Sequence, residues 1–138
     1  MRILIVEDDA VLAMVSMLAL EEAGHTIVGL AHDLESFEHL AERNDIDLAV
    51  VDINLAGANE GLLVAERLRA HCVCVLFVSG QLGAARENSH LAFGLLRKPY
   101  EIEDLLGSVK YIQNVLFGKT PSSTRPSTLE VFEPNQLL

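Results

Sequence analysis

The chain has 138 residues, half of them hydrophobic, with 20 Asp and Glu against 10 Lys and Arg and a net charge of −10. Its length suits one domain, and its negative balance disfavours nucleic acid and anionic membrane surfaces, whose phosphates draw basic proteins. The longest apolar run, Ala10 to Leu20, is far short of the ~20 residues of a spanning helix, so a soluble, cytoplasmic protein is expected.

Met1–Val6 opens with the apolar run Ile3–Val6 and turns acidic at once with Glu7, Asp8 and Asp9, which does not fit a signal peptide. Ala10–Glu22 carries Val11, Met14, Val15, Leu18 and Ala19 at helical spacing and ends at Gly24, a plausible C-cap. Thr26–Ala31 reads as a second strand. Asp33 is a good N-cap for a helix over 34–43, with Leu34, Phe37, Leu40 and Ala41 on one face. Leu48–Val51 is a third strand, and Glu60–Ala70 a helix. Val73–Val78 is a fourth strand, followed by a weak, polar helical pattern over 81–91. A fifth strand over 93–96 precedes an amphipathic helix over 102–117, with Ile102, Leu105, Leu106, Val109, Ile112, Val115 and Leu116.

Most of these strands are Ile, Val and Leu runs without polar alternation, as in a parallel sheet buried on both faces. A βα unit repeated five times predicts an α/β layer fold with right-handed crossovers. Residues 1–117 would form this domain. Residues 118–138 hold three of the four prolines and a Ser/Thr cluster and read as a flexible tail, although its apolar stretches 129–132 and 137–138 are able to dock. Cys72 and Cys74 read as two small buried hydrophobes, and the five scattered histidines as surface or structural residues.

The polar groups gather where strands end. Glu7, Asp8 and Asp9 follow the first strand, Asp52 the third, Ser79 the fourth, and Lys98 and Pro99 the fifth. Open parallel sheets bind ligands outside those carboxyl ends. Several carboxylates facing one another call for a cation or a retained proton. Mg²⁺ suits such a set, because it takes a few carboxylate oxygens and completes its shell with water and phosphate. A carboxylate nucleophile, a metal, a lysine and a hydroxyl together suit phosphoryl transfer.

The ordered set ILIVEDD (3–9), LAVVDINL (48–55), VLFVSG (75–80) and RKPY (97–100) resembles the receiver domain of bacterial two-component response regulators, over roughly residues 2–117. The resemblance implies a doubly wound five-stranded parallel sheet, the (βα)₅ flavodoxin-like fold. It implies Mg²⁺ held by Glu7, Asp8, Asp52 and the backbone carbonyl of Asn54. Asp52 would be the phosphoacceptor, Ser79 the switch hydroxyl and Lys98 the conserved-type lysine before a cis Pro99. Asn54 and Gln81 fall where this family tunes dephosphorylation. Four features depart from the pattern: Ala56 replaces a usual Pro, Gly61 lies one residue later than usual, the interval from Ser79 to Lys98 is shorter than usual and suggests a reduced or irregular fourth helix, and Leu95 replaces the switch aromatic, for which Phe93 is a candidate substitute.

The implied partners are a histidine kinase or phosphotransfer protein, with a downstream protein partner, in a monomer or weak homodimer. With no output domain in the sequence, signalling would run through partner binding or through service as a phosphate sink. The protein would assist its own phosphorylation and dephosphorylation without being a turnover enzyme. The alternative is a phosphorylation-independent interaction module. An aspartate-nucleophile phosphohydrolase is disfavoured, because Asn54 stands where such an enzyme needs a second Asp.

Overall fold

A computed structural model describes residues 1–41, 45–57, 59–118 and 125–132. Five parallel strands alternate with five helices: β1 (Arg2–Val6), α1 (Ala10–Glu22), β2 (Thr26–Ala31), α2 (Leu34–Ala41), β3 (Leu48–Asp52), α3 (Glu60–Ala70), β4 (Cys74–Ser79), α4 (Leu82–Glu87), β5 (Gly94–Arg97) and α5 (Ile102–Leu116). A sixth strand, β6 (Leu129–Val131), completes the sheet, whose order is β2-β1-β3-β4-β5-β6. The first five strands are parallel, as the βα rhythm predicts, in the doubly wound arrangement that the family resemblance implies. Their period-2 geometry sends neighbouring residues to opposite faces. Ile3, Ile5, Val50 and Val78 pack with Ala13 and Leu20 of α1 and Leu105, Val109 and Ile112 of α5. Leu4, Val6, Val51 and Phe77 pack with Phe37 of α2 and Val64, Ala65 and Leu68 of α3.

The sixth strand corrects the sequence reading. β6 belongs to the segment expected to be a flexible tail, and it pairs antiparallel with β5. Leu129 and Phe132 bury their side chains, one on each face of the sheet, which offsets the ordering entropy that the Pro, Ser and Thr content suggested would prevail. The expected docking of residues 137–138, and the end of the predicted helix over 34–43, lie outside the described residues.

The weak pattern over 81–91 forms a short α4 and a 3₁₀ turn at Ser89–Leu91, the reduced, irregular fourth helix that the short interval from Ser79 to Lys98 suggests. Two smaller corrections have plain causes. Val11, Met14, Val15 and Leu18 are exposed, and α1 buries Ala13, Ser16 and Leu20 instead. A helix apolar nearly all round carries no periodic signal of which face turns inward. Cys72 is exposed in the turn before β4 with φ 61° rather than buried, and Cys74 is half-buried. Both are free thiols, and burial pushes the Cys74 thiol up to about 12.

Candidate functional site

β1 and β3 are neighbours, and the chain leaves them toward helices on opposite faces of the sheet. The crevice at their carboxyl ends is the topological switch point. Glu7 leaves β1 there, with its backbone N–H donating to the Ala31 carbonyl at 2.8 Å. Asp52 is the last residue of β3, level with Val78 of β4. The two residues are 8% and 7% exposed, too buried for their carboxylates to remain charged side by side without compensation.

Lys98 supplies that compensation. Its Nζ stands 3.3 Å from Glu7 Oε1 and 3.3 Å from Asp52 Oδ2. The amine is placed by the end of β5, where Lys98 N–H donates to the Ser79 carbonyl at 3.0 Å and the Lys98–Pro99 bond is cis. Burial opposes its charge, but the carboxylates of Asp52 and Glu7 outweigh burial and hold its pKa above the ordinary lysine value. Burial also pushes the Glu7 carboxyl up to about 7. The Asp9 N–H, donating to Glu7 Oε2 at 3.1 Å, works against that rise. The Asp52 charge adds to it, and the Lys98 charge opposes it.

Asp8 completes the cluster from the exposed side. One carboxylate oxygen each from Glu7, Asp8 and Asp52 lie within 4.8 Å of one another, the one group of three or more such ligands among the described residues. This hard, all-oxygen set fits a small divalent cation such as Mg²⁺ and does not fit a thiophilic metal. Asn54 borders the cluster through its backbone. Its N–H donates to Asp52 Oδ1 at 3.0 Å, and its carbonyl accepts from Gly57 N–H at 3.2 Å while keeping a second lone pair. Ser79 is 2% exposed. Its Oγ accepts from Gln81 N–H at 2.8 Å, which leaves the hydroxyl proton to be donated.

Asp9 takes the role expected of a helix cap: its Oδ1 accepts from the N–H groups of Val11 and Leu12 at 3.0 and 3.1 Å. It therefore organises α1 and stands apart from the three clustered carboxylates. The loop after Asp52 folds into a 3₁₀ turn, Leu55–Gly57, with Ala56 and Asn59 both left-handed. Gly61 then brings the start of α3 against the strand end. A Cβ there would lie 2.0 Å from the Asp52 carbonyl oxygen and 2.7 Å from Ile53 Cα.

Sequence reasoning missed two contributors. Ala56 N–H donates to Asp8 Oδ2 at 3.1 Å, a bond that the Pro usual at this position of the family pattern cannot make. Its donor is backbone, so no residue type announces it. Tyr100 lies within interaction range of Ser16 of α1 and of Lys98, Glu7 and Asp52, and burial raises the pKa of its hydroxyl. Its position directly after Lys98–Pro99 was the available signal. Phe93 does not stand in for the aromatic that Leu95 replaces. It precedes β5 level with Val75, at the far end of β4 from Ser79, and packs edge-on against Tyr111. Leu95 is fully buried among the residues packed on the opposite face.

A family model of the response regulator receiver domain matches residues 3–110. The transcriptional activator protein IrlR of Burkholderia pseudomallei is 35% identical over 116 residues, which cover 81% of this chain and 50% of IrlR. The transcriptional regulatory protein PdtaR of Mycobacterium tuberculosis is 30% identical over 112 residues, covering 79% of this chain and 55% of PdtaR. The chain thus spans about half the length of these curated relatives. Among solved structures, a CheY-like receiver domain protein from Methanospirillum hungatei superposes with a TM-score of 0.72 at 27% identity, covering 85% of this chain and 96% of that one. The receiver domain of a modulated diguanylate cyclase from Desulfovibrio desulfuricans gives 0.72 at 30% identity, covering 86% and 98%. No helix among the described residues is long and apolar enough to cross a membrane.

Proposed function

The chain belongs to the response regulator receiver domain family, and on that premise we propose that Asp52 accepts a phosphoryl group from a phosphohistidine of a kinase or phosphotransfer protein, with Mg²⁺ at Glu7, Asp8, Asp52 and the Asn54 carbonyl. The observation that carries this reading is the Lys98 amine standing at equal distance from Glu7 and Asp52 beside Asp8. A fixed positive charge is thereby aimed where negative charge develops during transfer. A carboxylate oxygen of Asp52 attacks phosphorus, the bond from phosphorus to the donor nitrogen breaks, and the electron pair stays on the imidazole. The metal supplies neutralisation of the phosphoryl oxygens when bound. Ser79 donates its hydroxyl proton to the acyl phosphate, and Lys98 exchanges its Asp52 contact for a phosphoryl oxygen.

The phosphodonor protein would meet the exposed apolar stripe of α1, Val11, Met14, Val15 and Leu18, which begins two residues beyond Asp9 at the rim of the site. The phosphorylated chain would then signal by binding a partner or would drain phosphoryl groups as a sink. Asn54 where a phosphohydrolase needs an acid speaks against steady turnover.

The test is incubation with acetyl phosphate and MgCl₂, read by intact-protein mass. One phosphoryl group is expected on the native chain and none on Asp52→Asn. Equal labelling of the two, or no labelling with MgCl₂ present, would refute the assignment.

A further inference from the structure

The edge of the sheet beside β5 is closed by the chain's own residues 126–132. β6 pairs Leu129 with Leu96, Glu130 with Leu95 and Val131 with Gly94. Two flanking bonds extend the ladder: Arg97 N–H donates to the Thr128 carbonyl at 3.1 Å, and Phe132 N–H to the Phe93 carbonyl at 3.0 Å. Side chains clasp the strand to its neighbours. Arg86 of α4 forks onto Glu130 through Nε and Nη2 at 3.0 and 2.8 Å. Arg97 Nη2 donates to the Ser127 carbonyl at 2.8 Å.

Gly94 is shaped to this neighbour. A Cβ at that position would lie 2.3 Å from the Glu130 carbonyl oxygen, so any side chain would hold a partner strand away. Gly107 of α5 likewise receives Pro126, whose Cγ would lie 3.0 Å from an added Cβ. One feature of the fit is poor. Thr128 Oγ1 is the sole buried side-chain polar atom without a hydrogen-bond partner among the described residues, and an unsatisfied buried hydroxyl disfavours the bound strand.

We propose that the β5 edge, flanked by α4 and α5, is a docking surface for an extended strand of a partner protein, and that residues 126–132 are an internal plug holding it closed. The partner segment the surface fits is antiparallel, with an acidic residue opposite Arg86 and apolar residues at the positions of Leu129 and Phe132, which enter opposite faces of the sheet. Two arginines at the edge of a chain of net charge −10 favour such an acidic–apolar strand over a basic one. A strand tethered to its own chain has an effective concentration in the millimolar range. A second copy offering the same strand gains nothing over that tether. A partner strand must outcompete that tether, and an apolar residue in place of Thr128, which leaves no hydroxyl unsatisfied, contributes to the advantage it needs. This reading is independent of phosphorylation at Asp52.

The test uses the full chain and a fluorescent peptide of residues 126–132. Glu130→Arg sets like charges against each other across the clasp, and Glu130→Arg with Phe132→Ser also removes one apolar anchor. Exchange of the backbone amide at position 132 should quicken at least tenfold in both opened variants. The peptide should bind those variants one to one and at least tenfold more tightly than the native chain, restoring protection of the Arg97 amide. A peptide with Val in place of Thr128 should bind severalfold tighter still. Arg86→Glu combined with Glu130→Arg should close the clasp again and return binding to the native level. Unchanged exchange at position 132 in both opened variants would overturn the proposal, as would equal peptide affinity for native and opened chains. Doubling of the opened variants' mass by light scattering would also overturn it, by making a second copy the occupant.

Discussion

Replacing Glu7 by Gln should make the metal-free protein more stable above neutral pH and leave it nearly unchanged in mild acid. Gln mimics the protonated carboxyl, the form that the folded state prefers. Burial raises the Glu7 pKa from its ordinary 4.5 to about 7. At ~1.4 kcal/mol per tenfold change, this corresponds to about 3 kcal/mol between the two protonation states. A carboxyl whose folded pKa is raised stabilises the native state fully below the unfolded value, and that contribution is lost as pH climbs through the folded value. The native chain in EDTA should therefore lose up to ~3 kcal/mol between pH ~4.5 and about 8, relative to Glu7→Gln, by urea denaturation. Millimolar Mg²⁺ should reverse the order at pH ~8, because the cation binds the native carboxylate and stabilises only the folded chain. It should do little at pH ~5, where the proton competes for the same oxygens. Parallel stability profiles for the two proteins in EDTA would refute the account of Glu7 as a buried, proton-retaining acid.

Gly61→Ala should cost about 3 kcal/mol or more, the upper end for forcing a methyl into packed backbone, despite ~1 kcal/mol of improved helix propensity. A urea midpoint near that of the native chain would show that the start of α3 can withdraw from Asp52. Lys98→Ala should destabilise the metal-free chain by about 1–2 kcal/mol at pH ~8, between the values typical of exposed and buried ion pairs. The loss should shrink at pH ~5, where Glu7 is protonated, and equal losses at the two pH values would count against the bridging role of the amine.

Most of the strands were legible because they are nearly unbroken apolar runs, four of them leading into charged or hydroxyl residues at Glu7, Asp52, Ser79 and Lys98, and a parallel sheet buried on two faces demands such runs. The juxtaposition of Glu7, Asp8, Asp52 and Lys98 was legible for the same reason: the β-strand ends fix position almost independently of loop detail. The face of α1 was not, since Val11, Met14, Val15 and Leu18 obey helical spacing as well as any buried set does. Small Ala13 and Ser16 turn inward because α5 packs close on that side, which is information held by α5 and absent from α1. β6 was hidden because its partner's receptivity lies in Gly94, whose missing side chain reads in sequence as a weak strand start. The Asp8–Ala56 bond was hidden because a left-handed Ala in a loop has no compositional signature.

That bond bears on how the site is entered. Without a cation, each acidic group already has partners: Glu7 and Asp52 share Lys98, and Asp8 accepts the Ala56 N–H. Asp8 alone of the three carboxylates is exposed, and its bond to the loop is a single hydrogen bond in contact with water. A single exposed bond of this kind contributes about 1 kcal/mol, far less than separating a buried carboxylate from its amine. A cation arriving from solvent would thus meet Asp8 first and displace a backbone donor there. It would then approach Glu7 and Asp52 as Lys98 gives up its contacts with them. Releasing the Ala56 N–H at that step would couple ion entry to the 3₁₀ turn at Leu55–Gly57, and through Gly61 to the start of α3. The departure from the family's usual loop would therefore sit on the route by which a cation enters.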